Sequence, residues 1–420
     1  MIQRVVIVGA GQAACSMAAK LRELDSEAKI TIIGKENHLP YQRPPLSKKY
    51  ATGEMTLDSL ILRPASWYED NNIQCITGRR VEKIDADAKT LSLDNGDAVG
   101  GDAVGGDAVG GDVVGFDKLV LATGTRPREL PGSIGGDLDG VYIVRGIDHV
   151  DNFAPEMIEG RTALVIGGGY IGLEAAAVLK NKGLNVRVVE MAERILQRVA
   201  CSATSDYFRN LHKERGVQID EGLGLVKLIE KNGRVSGAEF SDGSSMELDF
   251  VLVGIGVVAN QELAEQAGIA CDNGITVNKY GQTNNPDIYA AGDCTNFKYK
   301  EQYIRLESVQ NAIDQAECVA KNIAGEQAEY LPYPWFWSDQ YDVKLQIAGL
   351  NLGYDEVVLR PGQREGAQSV WYFMNGEFIS VDAMNDSRSF MVGKKLLEGG
   401  LPITPEQAAD TDLELKTLMK

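Results

Sequence analysis

The sequence predicts an α/β chain: two units of doubly wound parallel sheet, followed by a smaller α+β unit. Three observations carry that expectation. A strand, a glycine-rich loop and a helix occur in immediate succession twice, a further strand follows each copy, and the composition changes past residue 325. The 420 residues suggest about three domains. With 44% hydrophobic and 24% charged residues, each domain can bury its own core.

Taken in order, Val5 to Val8 is a buried-strand run, Gly9-Ala10-Gly11-Gln12-Ala13-Ala14 is the loop, and Ser16 to Leu24 reads as a helix with one apolar face. Leu164 to Ile166, Gly167-Gly168-Gly169-Tyr170-Ile171-Gly172 and Leu173 to Lys182 repeat the grammar. In such a loop the first glycine makes the tight turn, the second lets the backbone approach a pyrophosphate, and the third position must be small for helix–strand packing. The phosphates then face the helix N-terminus, whose unpaired N–H groups favour an anion. Gly9, Gly11, Gln12, Ala13 and Ala14 are therefore expected against one dinucleotide, and Gly167, Gly169, Tyr170, Ile171 and Gly172 against another. The second strands are Ile30 to Ile33 and Val186 to Val189. Glu190 ends the latter, where a carboxylate can accept hydrogen bonds from an adenosine ribose and would repel a ribose phosphate. In the first copy Lys35 stands at that place and the acid, Glu36, comes one residue later.

Thr90 to Leu93 and Lys118 to Leu121 are strand-like, and between them residues 96–115 hold four copies of a Gly-Asp-(Ala/Val)-Val-Gly pentapeptide. Period five suits neither helix nor strand, so this insert reads as an expanded hairpin tip. After residue 325, Pro332, Pro334, Trp335, Phe336 and Trp337 crowd together. Alternating segments follow at Val343 to Ile347, Glu356 to Leu359, Ser369 to Phe373 and Phe378 to Val381, as in an antiparallel sheet with turns at Pro361-Gly362 and Asn375-Gly376.

Composition narrows the partners. There are 42 Lys and Arg against 60 Asp and Glu, a net charge of −18, so nucleic acid is not expected to bind. The longest apolar stretches fall well short of the ~20 residues of a membrane span, and no membrane is expected. Strand residues begin at Val5 without a leader pattern. Six cysteines without a Cys-x-x-Cys pair and three histidines point to reduced thiols, a cytoplasmic setting and no metal.

Leu119-Val120-Leu121-Ala122-Thr123-Gly124 and Thr283 to Asp293, with the first glycine loop, resemble the three FAD-contacting stretches of the two-dinucleotide-binding-domain flavoprotein reductases. The resemblance implies two Rossmann-like domains, with the NAD domain (130–249) inserted in a discontinuous FAD domain (1–129 and 250–325) and a C-terminal α+β reductase domain (326–420). More narrowly, Leu39 to Lys48, Gly167 to Glu174, Arg305 to Ala312 and Pro334 to Tyr341 look like those of the NADH-dependent ferredoxin reductases of bacterial oxygenase systems, of the putidaredoxin reductase type. In that family Asp293 would bond the flavin ribityl chain, and Lys48 would stand beside flavin N5 with Glu174 as its ion partner. Lys35, Glu36, Arg43, Val81, Ala122, Thr123 and Gly124 are further implied contacts of FAD. Arg126, Val309 and Trp337 join them, and Gly256 joins Glu190 on the nicotinamide side.

The segment where related disulfide reductases carry cysteine reads Pro-Pro-Leu-Ser-Lys, so electrons must pass to an external acceptor without a thiol relay. The implied activity is electron transfer from NADH, as a hydride to FAD, and then singly to a two-iron ferredoxin serving a cytochrome monooxygenase or Rieske dioxygenase. A rubredoxin reductase, an NADH oxidase and a nucleotide-sensing protein of apoptosis-inducing-factor type remain alternatives. An acidic ferredoxin would need basic residues gathered for transient, electrostatically steered docking. The candidates are Lys48-Lys49, Lys298, Lys300, Arg305 and Lys394-Lys395.

Overall fold

The computed structural model describes residues 3–94 and 113–419; the pentapeptide repeat, apart from Val113-Val114-Gly115, lies outside the described residues. The chain forms two compact units. One comprises Met1–Arg43, Thr56–Arg126 and Val258–Pro332, the other Pro44–Met55, Pro127–Val257 and Tyr333–Lys420.

The first unit is built on a five-stranded parallel sheet in the spatial order Ile288–Ala290, Lys118–Leu121, Arg4–Val8, Lys29–Ile33, Ile73–Ile76. From Val5 on, its central strand is an unbroken apolar run because both faces are covered. Val5 and Ile7 pack with Met17 and Leu21 of the helix Gln12–Leu24 and with Ala316 and Val319 of the helix Val309–Ile323. Val6 and Val8 face the other way, toward Leu91 and Val114 of the antiparallel layer Val81–Asp85, Thr90–Leu93, Val113–Gly115. The helix after the first loop starts at Gln12, earlier than its apolar pattern, because Ala13 and Ala14 wind without adding a hydrophobic stripe. Arg22 closes its far end by donating to the carbonyls of Asp25, Ser26, Ala28, Asn71 and Asn72.

The second unit holds another parallel sheet, ordered Gln218–Glu221, Asn185–Glu190, Thr162–Ile166, Phe250–Val253, Val141–Ile143. In sequence these strands fall between strands of the first sheet, which is the insertion expected of the fold. The C-terminal sheet is antiparallel, in the order Trp335–Gln340, Val343–Gly349, Glu377–Met384, Gln368–Met374, Glu356–Pro361. Asn375 and Gly376 take φ of 51° and 78° in the two-residue turn between the strands that end at Met374 and begin at Glu377.

Alternate residues of the C-terminal strands serve two unlike faces. Trp371, Phe373, Val381 and Ala383 pack on Phe390, Val392 and Leu396 of the helix Ser387–Gly399. The opposite face carries Phe336, Ser338, Gln340, Ser380, Asp382 and Tyr372, and it lies on the helices Tyr170–Asn181 and Ser202–Glu214. Thr204 donates to Asp382 at 2.7 Å, Tyr372 donates to the same oxygen, and the Cys201 N–H donates to Tyr372 Oη at 3.2 Å. Burial pushes the Asp382 carboxyl up to about 6 and the His212 imidazole down to about 4. Tyr170 Oη, Ser380 Oγ and Asp382 Oδ1 are buried there with no hydrogen-bond partner among the described residues.

Candidate functional site

The two glycine loops solve the same steric problem with the same atoms. Gly9 and Gly167 have φ of +111° and +105°, and a Cβ on either would stand 2.1 Å from Ala122 O or 2.4 Å from Gly254 O. Gly11 and Gly169, the residues that open the two helices, have open space where a Cβ would be, and neither helix has a side-chain cap or an acidic residue in its first turn. A Cβ at Gly172 would fall 2.1 Å from Gly167 O, and Ala14 is wholly buried. Turn, open approach and close packing thus occur at the spacing a pyrophosphate needs, with uncapped N–H groups beside it. The residues present fit two dinucleotides.

The acids after the second strands differ. Both oxygens of Glu190 accept backbone N–H groups, from Gly168 at 2.7 Å and Ala192 at 2.8 Å, so the carboxylate is held at the loop with lone pairs to spare. Met191 beside it is 80% exposed and uncharged. In the first copy Lys35 is exposed, while Glu36 accepts from Arg43 at 2.6 Å and from Tyr41. Burial works against both charges. The Arg43 guanidinium and the Tyr41 hydroxyl outweigh it at Glu36, whose pKa is lowered; Tyr41, Glu36 and Asp293 outweigh it at Arg43, whose pKa is raised.

Thr123 and Asn260 clasp each other. The Thr123 hydroxyl donates to Asn260 O at 2.6 Å, and Asn260 Nδ2 donates to Thr123 O at 2.8 Å. Arg126 turns to Asn260 and Glu262, at 3.0 and 2.6 Å. Gly124 has φ of 64° and Gly256 of 98°. Val81 is buried in the core of the first unit, and Val309 opens its helix after a Ser308 cap. Asp293 follows Gly292, whose N–H donates to Gln315 Oε1 at 2.8 Å. Gln315 is buried, its Nε2 has no partner among the described residues, and sequence reasoning passed it over.

Lys48 and Glu174 meet, as expected. Lys48 lies in the short helical turn Leu46–Tyr50 after Pro44-Pro45, and its Nζ stands 2.7 Å from Glu174 Oε2. Ser47 Oγ reaches the same oxygen at 3.2 Å, and Ser338 Oγ donates to Oε1 at 2.8 Å. Glu174 is 6% exposed, so nearly all of its solvation comes from these groups. Ser338 was not anticipated.

The thiols stand apart from this chemistry. All six cysteines are free, and burial pushes Cys75 up to about 12 and Cys271 and Cys318 up to about 11, away from the nucleophilic thiolate. Burial likewise raises Cys15 and Cys294.

The C-terminal unit has an open groove of about 260 Å³ lined by Trp335, Trp337, Lys344, Gln346, Phe390 and Lys394. Trp337 stacks at 5.6 Å on Trp335, over which Lys394 Nζ lies at 5.1 Å. Several basic residues expected to steer an acidic partner are engaged by neighbouring carboxylates instead. Lys298 pairs with Glu301, Arg305 with Glu307, and Lys394 with Glu398. No helix among the described residues is long and apolar enough to cross a membrane.

Two family models match the chain, pyridine nucleotide-disulphide oxidoreductase over residues 3–316 and reductase C-terminal over 335–419. Rhodocoxin reductase of Rhodococcus erythropolis is 40% identical over 414 residues, covering 98% of this chain and 93% of that protein. The ferredoxin reductase of the CYP199A2 system of Rhodopseudomonas palustris superposes with a TM-score of 0.91 at 38% identity over the whole of both chains. The structure of a covalent putidaredoxin reductase–putidaredoxin complex gives 0.92 at 34% identity, covering 99% of this chain and 98% of that one.

Proposed function

Because the chain belongs to the pyridine nucleotide-disulphide oxidoreductase family and ends in a reductase C-terminal domain, we propose that it is an NADH-dependent ferredoxin reductase with resident FAD. Its acceptor is a two-iron ferredoxin that serves a cytochrome monooxygenase or a Rieske dioxygenase. Bound FAD supplies the conversion between the two-electron chemistry of nicotinamide and the one-electron steps of a ferredoxin.

The chain's own residues do the rest by binding and orientation. The Gly9–Ala14 loop and its uncapped helix hold the FAD pyrophosphate, with Asp293 and the Thr123–Asn260 clasp as further contacts. The Gly167–Gly172 loop holds the pyrophosphate of NADH, and Glu190 accepts hydrogen bonds from its adenosine ribose. Lys48, fixed by Glu174, presents an ammonium to the isoalloxazine and favours negative charge there. One observation carries this reading: the Pro44–Tyr50 segment, which the resemblance aligns with the redox cysteines of related reductases, holds no sulfur and carries Lys48 paired with Glu174 of the helix Tyr170–Asn181. The aromatic groove with Lys344 supports docking of an acidic ferredoxin on the C-terminal domain. Six free thiols, most of them buried, suit the cytoplasm.

Anaerobic stopped-flow reduction of the purified holoenzyme tests the reading. NADH should reduce the flavin with a kcat/KM at least ~100-fold above that of NADPH, because Glu190 faces the added phosphate and Met191 offers no cation. Reoxidation should then be fastest with a two-iron ferredoxin from a panel that includes rubredoxin and dioxygen. Equal use of both nucleotides, or fastest turnover with dioxygen, would overturn it.

A further inference from the structure

We infer that a directed chain of hydrogen bonds, Tyr341–His212–Gln340–Ser338–Glu174–Lys48, lets the C-terminal sheet set the Lys48–Glu174 pair, which makes Ser338, Gln340 and His212 positioning residues for the reductase reaction. The inference rests on the reading that Lys48 faces the flavin.

The links are short and almost wholly buried. Ser338 Oγ stands 2.8 Å from Glu174 Oε1, Gln340 Nε2 3.3 Å from Ser338 Oγ, and His212 Nε2 2.8 Å from Gln340 Oε1. Tyr341 Oη lies 3.3 Å from His212 Nδ1. Ser338, Gln340 and His212 each have zero exposure. Three polar side chains at such positions are costly unless each is satisfied, and apolar residues would fill the same contact between sheet and helices at less expense in desolvation. Their presence in a continuous line ending on a carboxylate is what calls for a role.

The chain also has one direction. An ionised Glu174 only accepts, so Ser338 must donate to it; Ser338 then accepts from the Gln340 amide NH₂, which turns the Gln340 carbonyl toward His212. His212 must carry its proton on Nε2, leaving Nδ1 to accept from the Tyr341 hydroxyl. A neutral imidazole is the form that burial favours. At the outer end, Tyr341 adopts φ of 56°, a left-handed conformation that a bulky residue rarely takes, and its ring meets His212 edge-on at 5.0 Å. Arg215 covers that ring at 5.2 Å and pairs with Asp342 at 2.5 Å. Glu174 is thus held at one oxygen by Lys48 and at the other by a line of side chains that reaches the hairpin turn of the C-terminal domain. Without Ser338, Oε1 keeps a buried lone pair unsatisfied and the carboxylate is free to rotate away from Lys48.

The test uses the FAD-loaded full chain, with flavin content and thermal melting as controls for folding. Ser338→Ala and Gln340→Met should each slow anaerobic flavin reduction by NADH about tenfold, the first by removing the charge-assisted bond to Glu174 and the second by freeing Ser338 to turn away from it. They should also move the flavin midpoint potential in the same direction as Lys48→Met. In a Lys48→Met background neither should add a further effect, whereas a merely structural role would multiply with it. Should Ser338→Ala lose flavin, Gln340→Met carries the comparison. Wild-type rate and potential in both variants, or effects that multiply with Lys48→Met, would overturn the inference. Unchanged reduction and potential in Lys48→Met itself would instead remove the reading on which it rests.

Discussion

The two faces of the C-terminal sheet share strands but not chemistry. One is Trp371, Phe373, Val381 and Ala383 against an amphipathic helix, where stability comes from apolar area removed from water. The other is Ser338, Gln340, Asp382 and Tyr372 against the helices Tyr170–Asn181 and Ser202–Glu214, where a polar group that lacks a partner is costly. The difference teaches that the first face holds the domain together, while the second communicates with Glu174. Mutations should separate the two roles.

The largest effect belongs to the apolar face. Trp371→Ala empties a site with zero exposure, where Trp371 packs on Phe378 and donates to Ser369 at 3.0 Å, and should cost about 4 kcal/mol. Urea unfolding measures it. At temperatures where the variant stays folded, flavin reduction by NADH should remain within about twofold of wild type. A large kinetic loss at small cost in stability would break the comparison.

On the polar face two titrations oppose each other. Asp382 has its folded pKa raised to about 6, so its stabilisation is full below about 4 and is lost as pH rises through 6. His212 has its folded pKa lowered to about 4, so its contribution is present above 6.5 and is lost as pH falls through 4. Each shift corresponds to about 3 kcal/mol. Relative to wild type, Asp382→Asn should therefore gain about that much between pH 4 and 7, and His212→Asn should gain it between pH 7 and 4, whatever constant penalty each carries. Denaturation midpoints across that range decide it; parallel curves would show that neither group titrates as buried.

A smaller effect sharpens the same point. Thr204→Val removes one hydroxyl from Asp382 and leaves Tyr372, so it should cost about 2 kcal/mol at pH 7, where the carboxyl is charged, and about half that at pH 4. A penalty independent of pH would mean that Thr204 acts through packing alone.

The same contrast governs what could be read in advance. Both glycine loops and their strands were legible because turn, approach and packing are local demands that small residues answer within six positions. The helices start at Gln12 and Tyr170, earlier than read, because their first turns hold small residues and a ring that packs on Phe336, outside any apolar stripe. The strand Trp335–Gln340 escaped notice: its inward residues, Ser338 and Gln340, are polar, and its neighbours Trp335 and Trp337 line an open groove, which inverts the usual pattern. The Lys48–Glu174 pair came from resemblance rather than from the residues themselves. Ser338, His212 and Gln315 carried no local signal, since the groups that give them a role, Glu174 for Ser338, Gln340 and Tyr341 for His212, and Gly292 and Thr295 for Gln315, lie 20 or more residues away in sequence. Glu190 was placed correctly at its strand end, but its bonds to Gly168 and Ala192 belong to a backbone fold that spacing does not reveal.

Glu174 also imposes a timetable on the newborn chain. Lys48, which binds one oxygen, lies 126 residues upstream, and Ser338, which binds the other, lies 164 residues downstream on a strand whose sheet neighbour is Val343–Gly349. At ordinary rates of synthesis the ribosome delivers Ser338 roughly 10 to 30 seconds after Glu174. Until then the carboxylate has its lysine but no second anchor, so the growing polypeptide can assemble the parallel sheet completed by Phe250–Val253 well before Glu174 is fixed at both oxygens.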